Sequence, residues 1–117
     1  MTLLGELEAK VMEVLWHAPE PISVRQVHTV LAADRDLAYT TVMTVLDRLA
    51  KKQIVQRERD GRQWLYQPMT TRGALIADEI LELVDGAPAE RRAVYVELVR
   101  RMPAVDRTAL AKELSAN

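Results

Sequence analysis

The chain has 117 residues, of which 49% are hydrophobic and 28% are charged, and this composition indicates one globular domain with at most a small appendage. The net charge of −1 argues against a general nucleic-acid coat, and the absence of cysteine excludes disulfides and thiolate metal sites. The absence of cysteine agrees with a reducing cytoplasm, where we expect the protein to lie, and without a run of about 18 apolar residues we expect no membrane insertion.

The first two predicted elements are helices. Residues 3–16 carry an apolar stripe, and prolines end the run shortly afterwards. Ser23 and Gln26 have the spacing of a capping box, which opens a second helix that reaches about Ala33. The predicted apolar faces are Leu4, Leu7, Val11, Val14 and Leu15 in the first helix, and Val24, Val27, Val30 and Leu31 in the second.

The third predicted helix, residues 38–52, has an unusual polar face. Its apolar stripe recurs at i, i+3, i+4 and i+7 and is predicted to face a core: Val42, Val45, Leu46 and Leu49. The opposite face is rich in threonine and basic residues, which suit base edges and phosphates. Because threonine is a modest helix former, its repetition there favours a DNA-reading surface over a plain solvated one. Asp36 and Ala38 are both candidates for the N-cap.

A β hairpin is predicted after the third helix. Asp60-Gly61 lies between two extended runs, and this dipeptide favours a two-residue type I′ turn. Arg59 and Arg62 then lie together at the tip, where we expect them to contact phosphates. The predicted cross-strand pairs are Arg57 with Trp64 and Val55 with Tyr66, and both aromatic rings are interpreted as hairpin packing.

Charge is distributed unevenly along the chain. Residues 1–36 hold 3 basic and 6 acidic side chains, residues 37–68 hold 6 and 3, and residues 69–117 hold 7 and 8. The net charges of the three segments are therefore −3, +3 and −1. The positive segment contains both the threonine-rich helix and the hairpin, as a DNA-facing surface requires.

Three further helices are predicted in the tail, at residues 71–84, 88–101 and 105–114. A segment of about 45 residues is smaller than those that usually hold a core alone, so its apolar stripes need a partner. A second copy of the chain is the expected partner, because two-fold dimers are the commonest oligomers. The candidate dimerisation residues are Ile76, Ile80, Leu83, Val94, Leu98, Met102, Leu110 and Leu114.

This order of elements predicts a mostly α fold. Three helices and a two-stranded wing form a winged helix-turn-helix over residues 1–68, and residues 69–117 form a three-helix dimerisation domain. No catalytic constellation is visible, and His17 and His28 are the only histidines, so we expect neither an enzyme nor a metal or cofactor site.

Four segments resemble the penicillinase-repressor family: LGELEAKVMEVLW, VRQVHTVL, AYTTVMTVLDRLAKK and the wing that ends in WLYQP. The resemblance covers nearly the whole chain. It implies a homodimeric transcriptional repressor whose third helix enters the major groove of a palindromic operator in double-stranded DNA. The implied base-reading residues are Thr40, Thr41, Met43 and Thr44, and the implied backbone contacts are Arg48, Lys51, Lys52, Arg59 and Arg62.

The chain departs from the family pattern in several places. Met43 replaces a basic residue of some relatives, and Gln53 replaces a common helix-ending glycine, so we expect a less clean helix end. The best-known members are cleaved at an Asn-Phe bond after a membrane sensor responds to a β-lactam, but this chain contains no Phe. The cysteines of the copper-responsive members are also missing. A membrane sensor protease is thus a partner that the resemblance alone implies.

Two alternative functions stay open at this point. The first is a winged-helix regulator that senses a small molecule in its tail, which would require a roomy apolar pocket with convergent polar groups. The second is a winged-helix module for protein–protein assembly that does not bind DNA.

Overall fold

The computed structural model describes residues 5–116, which form six helices and one small antiparallel sheet. The helices are α1 (Glu6–His17), α2 (Val24–Ala32), α3 (Tyr39–Lys51), α4 (Arg72–Leu83), α5 (Pro88–Arg101) and α6 (Ala104–Ser115). The strands are β1 (Ile22–Ser23), β2 (Val55–Asp60) and β3 (Gln63–Pro68). The predicted mostly α fold with a wing is confirmed.

The first compact unit, residues 5–79, has its core between α1, α2, α3 and the sheet. All four predicted core residues of α3 are buried, so the face of that helix is confirmed. Met12 is also fully buried, although it was not predicted, whereas the prediction for Val30 is wrong because that side chain is 56% exposed. Leu4 lies outside the described residues. The buried cluster comprises Val11, Met12, Leu15, Val24, Val27, Leu31, Val42, Val45, Leu46, Leu49, Val55 and Tyr66.

The helix ends that position α3 follow local hydrogen bonding. The capping box of α2 is confirmed, because the Ser23 amide donates to Gln26 Oε1 (2.9 Å) and the Gln26 amide donates to Ser23 Oγ (3.2 Å). Ala38, rather than Asp36, is the N-cap of α3, and it supplies no side-chain hydrogen bond. The first turn of the helix is therefore left with backbone donors that no cap side chain satisfies.

The C-terminus of α3 is better defined than the sequence predicted. Gln53 takes a left-handed conformation with φ of 63°. Its amide donates to the carbonyl oxygen of Ala50, and the Ile54 amide donates to that of Leu49, both at 3.0 Å. These two bonds form a Schellman motif, so the expectation of a less clean end is wrong, although glutamine is strained where glycine would be relaxed.

The wing has a different register from the one predicted, and the sheet has a third strand. Arg57 pairs with Tyr66, and Arg59 pairs with Trp64. The two residues of the turn are therefore Gly61 and Arg62, and Gly61 has a φ of 64°. Glycine at the first central position is typical of a type II′ turn, which replaces the predicted type I′ turn. The short β1 pairs with β3, which gives the strand order β1-β3-β2.

The second compact unit, residues 80–116, contains α5 and α6, neither of which has a buried residue. The division between the units falls within α4, whereas the sequence placed a functional boundary after Pro68. The first turns of α4 belong to the first unit, in which Leu75 is buried and Arg72 lies 3.2 Å from the carboxylate of Glu13.

Candidate nucleic-acid interface

The polar face of α3 is open to solvent. At about 100° per residue, Thr40 and Thr44 lie opposite the buried stripe, and Thr41 and Met43 lie on its two flanks. All four residues predicted to read bases are exposed. The Thr44 hydroxyl donates to the Thr40 carbonyl oxygen at 3.0 Å. The hydroxyl proton of Thr44 is thus used within the helix, and the hydroxyl oxygen remains available as a hydrogen-bond acceptor beside the threonine methyl group.

The turn between α2 and α3 is held by a histidine. Nε2 of His28 donates to the carbonyl oxygen of Leu37 at 2.7 Å, and the ring makes an edge contact with Tyr39 at 5.7 Å between centroids. Leu37 immediately precedes the N-cap of α3. His28 therefore has a structural role in orienting α3, which the sequence pattern alone did not reveal.

The five predicted backbone-contacting residues are all exposed, and they form two groups. Arg48 lies on α3, and Arg59 and Arg62 lie on the wing. The two lysines are instead paired with carboxylates: Lys51 with Asp47 at 3.2 Å, and Lys52 with Glu8 at 2.9 Å. Each of these carboxylates offsets part of the positive charge that the lysine would present to a phosphate.

The ion pair of Lys52 also joins α3 to the start of α1. Burial raises the pKa of Glu8, but the Gly5 amide and Lys52 outweigh burial, and the net pKa is lowered. The Gly5 amide donates to Glu8 Oε1 at 2.9 Å. The Glu8 carboxylate thus accepts a hydrogen bond from the backbone at the N-terminus of α1 and forms an ion pair with Lys52 at the C-terminus of α3.

A cluster between α3 and the wing was missed by the sequence analysis. The guanidinium carbons of Arg57 and Arg59 lie 4.6 Å and 5.0 Å from the centroid of the Trp64 ring. Arg57 also reaches Asp47 of α3, at 3.4 Å between Nη1 and Oδ1. The predicted register paired Arg57 directly with Trp64, so it hid the fact that both arginines flank this ring.

Electrostatics favour the charged form on both sides of this contact. A hydrogen bond to Lys51, followed by the charges of Lys51 and Arg57, lowers the pKa of Asp47. The Tyr66 side chain, followed by Asp47, raises the pKa of Arg57. Tyr66 is itself buried in the core, which agrees with its predicted packing role.

The tail exposes large apolar side chains. Seven of the eight candidate dimerisation residues are exposed by 41–70%, and Met102 is half-buried. Exposed large apolar side chains are typical of interaction sites when they form a continuous patch. A small apolar cleft beside Tyr95 is lined by residues of α5 alone, so it lacks the polar groups from several elements that a small-molecule sensor needs.

Within residues 5–116, no group of three or more His, Asp or Glu side chains is arranged to hold a metal ion. Over the same range, no helix is long and apolar enough to cross a membrane.

A helix-turn-helix whose second helix presents an exposed polar face, followed by an arginine-bearing hairpin, defines a winged-helix module. The family model of the penicillinase repressor matches residues 4–116. The transcriptional regulator BlaI of Mycobacterium tuberculosis is 46% identical to this chain, and the match covers 98% of this chain and 85% of that protein. The chain therefore belongs to the penicillinase-repressor family, a family of DNA-binding transcriptional regulators and not of enzymes.

Solved structures agree with this assignment. The DNA-binding domain of the repressor BlaI is 27% identical with a TM-score of 0.55, and the match covers 62% of this chain and 90% of that domain. The Bacillus licheniformis BlaI monomer in complex with the blaP half-operator is also 27% identical, with a TM-score of 0.51 and coverage of 60% and 84%. A MarR-family regulator from Rhodococcus covers 97% of this chain and 73% of its own with a TM-score of 0.53, but at 17% identity it shows the fold alone.

Proposed function

We propose that this protein is a homodimeric transcriptional repressor that binds a palindromic operator through α3 in the major groove. The observation that carries the proposal is the exposed, threonine-rich face of a helix whose other face is buried in a winged-helix core. The similarity to a BlaI solved on a half-operator supports the same docking. Repression follows because a bound dimer excludes RNA polymerase from promoter DNA.

Reading and anchoring are assigned to different residues. The threonine methyl groups and the Met43 thioether suit thymine methyls, and the threonine oxygens accept from base amino groups. Thr40, Thr41, Met43 and Thr44 are therefore proposed to read bases. Phosphate contacts fix the register of a protein on its site without reading sequence, and they are assigned to Arg48, Lys51, Lys52, Arg59 and Arg62.

The second copy in the dimer is proposed to cover the apolar faces of the tail. Of the sixteen large hydrophobic side chains that are exposed in the described chain, twelve lie on α4, α5 and α6, and the seven of these that are candidate dimerisation residues are proposed to form the interface. Each chain carries one reading helix, so a dimer matches two half-sites related by a dyad, about 34 Å or a multiple of it apart. This assignment makes residues 1–68 the DNA-binding domain and residues 69–117 the dimerisation domain.

Induction is proposed to differ from cleavage at an Asn-Phe bond. The stretch that corresponds to the cleaved region is YVELV, residues 95–99, which lies inside α5. A protease pocket shaped for one side chain loses contacts when that side chain is replaced. If a membrane sensor protease acts on this chain, we expect it to cut another bond, or the repressor to be released without cutting.

A mobility-shift titration tests the proposal. DNA from the region upstream of the gene should be retained with two chains per site, and scrambled DNA of equal length should bind far more weakly. Saturation at one chain per site would contradict the dimer. Equal binding to both DNAs would contradict sequence-specific repression, and no binding to either would favour a protein–protein assembly module.

A further inference from the structure

Asp47 places a negative charge on the DNA-facing side of α3. Around the helix axis it lies between Met43 and Thr40, two proposed base-reading residues. Its two carboxylate oxygens hold two cations, Lys51 at 3.2 Å and Arg57 at 3.4 Å. A carboxylate on this surface opposes the approach of phosphates, so its position is costly for DNA binding in general.

We propose that Asp47 is a specificity-determining residue that weakens binding to arbitrary DNA and accepts a hydrogen bond from a cytosine amino group in the operator. This proposal deepens the proposed function and rests on it. Non-specific binding depends almost entirely on cations that neutralise phosphates, and Asp47 withholds two of them. A carboxylate that faces the bases is satisfied where a cytosine presents its N4 amino group, whereas guanine N7 and O6 and thymine O4 present only acceptors, and the N6 amino group of adenine lies beside the N7 acceptor, which repels a carboxylate.

The geometry explains how Asp47 can weaken binding to arbitrary DNA and also recognise a base in the operator. Arg57 comes from β2 and stacks on Trp64, so its ion pair with Asp47 links the wing to α3. When phosphates draw Arg57 and Lys51 away, the carboxylate is left without its cations in the groove. Operator DNA compensates this loss through the cytosine amino group, but random DNA does not.

The size of the effect follows from counterion release. Each phosphate neutralised contributes about 0.9 to the slope of log K against log salt concentration, which corresponds to about an eightfold change in affinity at 0.1 M salt. Asp47→Asn removes one opposing charge, so we expect its affinity for scrambled DNA to rise about eightfold and its salt slope to steepen by about one. Its operator affinity should stay unchanged or fall, so the ratio of operator to scrambled affinity decreases at least about eightfold.

The test uses the full-length chain, the operator duplex defined by footprinting and a scrambled duplex of equal length. Glu58→Gln is the matched control, because it makes the same charge change on β2 but on the side of the strand opposite to Arg57. Thermal unfolding checks that both variants are folded. The control should leave the ratio of operator to scrambled affinity within twofold of the wild type.

Base-pair substitutions in the operator provide a second readout. The wild type should lose affinity when one cytosine in each half-site is replaced, and Asp47→Asn should be less sensitive at that position. An unchanged affinity ratio in Asp47→Asn, or an equal effect of Glu58→Gln, would overturn the proposal while leaving DNA binding intact. A wild type that does not distinguish the two duplexes would overturn the proposed function as well.

Discussion

Replacing Leu98 with alanine should weaken the proposed dimer, and the exposed fraction of the Leu98 side chain in the single chain gives the size of the effect. Leu98 is 45% exposed in the single chain, and α5 has no buried residue. Covering a whole leucine stabilises by about 1.5–3 kcal/mol, so covering this exposed part is worth about 0.7–1.4 kcal/mol. A two-fold interface contains the residue twice, which gives about 1.4–2.8 kcal/mol, or about a 10- to 100-fold rise in the dimer Kd.

Sedimentation equilibrium over a series of concentrations measures this change directly. Leu81→Ala is the matched control, because Leu81 is 55% exposed but lies about 100° around α4 from Ile80, outside the proposed interface. Its dimer Kd should stay within about threefold of the wild type. An unchanged Kd for Leu98→Ala, or an equal rise for Leu81→Ala, would refute the assignment of the interface.

Three other predictions concern reading, the end of α3 and pH. Thr44→Ala should cost about 1–3 kcal/mol on operator DNA and little on scrambled DNA, whereas Arg62→Ala should weaken both and lower the salt slope by about one; equal losses for Thr44→Ala would exclude it as a reader. Gln53→Gly should raise the free energy of unfolding by about 1 kcal/mol, because a φ of 63° is strained for glutamine and not for glycine. A lower free energy of unfolding for the variant, measured by urea denaturation, would contradict this strain. The lowered pKa of Glu8 means that its stabilisation is complete above its ordinary value of 4.5 and is lost as the pH falls through the folded pKa. Glu8→Gln should therefore lower the free energy of unfolding by about 1 kcal/mol at pH 7, and the difference from the wild type should vanish at pH values below the folded pKa of Glu8; a pH-independent difference would show that charge is not the cause.

Elements with a strong local signal could be predicted from the sequence. The faces of α3 follow from an apolar period that tertiary packing reinforces, and the capping box from Ser23 to Gln26 is a local signal four residues long. The hairpin was located correctly, but its register was not. Asp60-Gly61 fits a type I′ turn, and only packing of the strands selects the alternative with Gly61 first in the turn.

The contacts that modify the candidate site could not be predicted, because they join distant parts of the chain. Lys52 and Glu8 are 44 residues apart, and β1 is too short to have a pattern of its own. Asp47 and Arg57 join α3 to β2, and the error in register also concealed the packing of both Arg57 and Arg59 against Trp64.

Footprinting of the full-length chain on DNA upstream of its gene tests the central claim most directly. Two reading helices in one dimer should protect two symmetric patches whose centres are one or two helical turns apart, about 10 or 20 base pairs. The protected bases should lie in successive major grooves on one side of the duplex. A single protected patch, or uniform weak protection along the fragment, would contradict a dimer that reads a two-fold operator through α3.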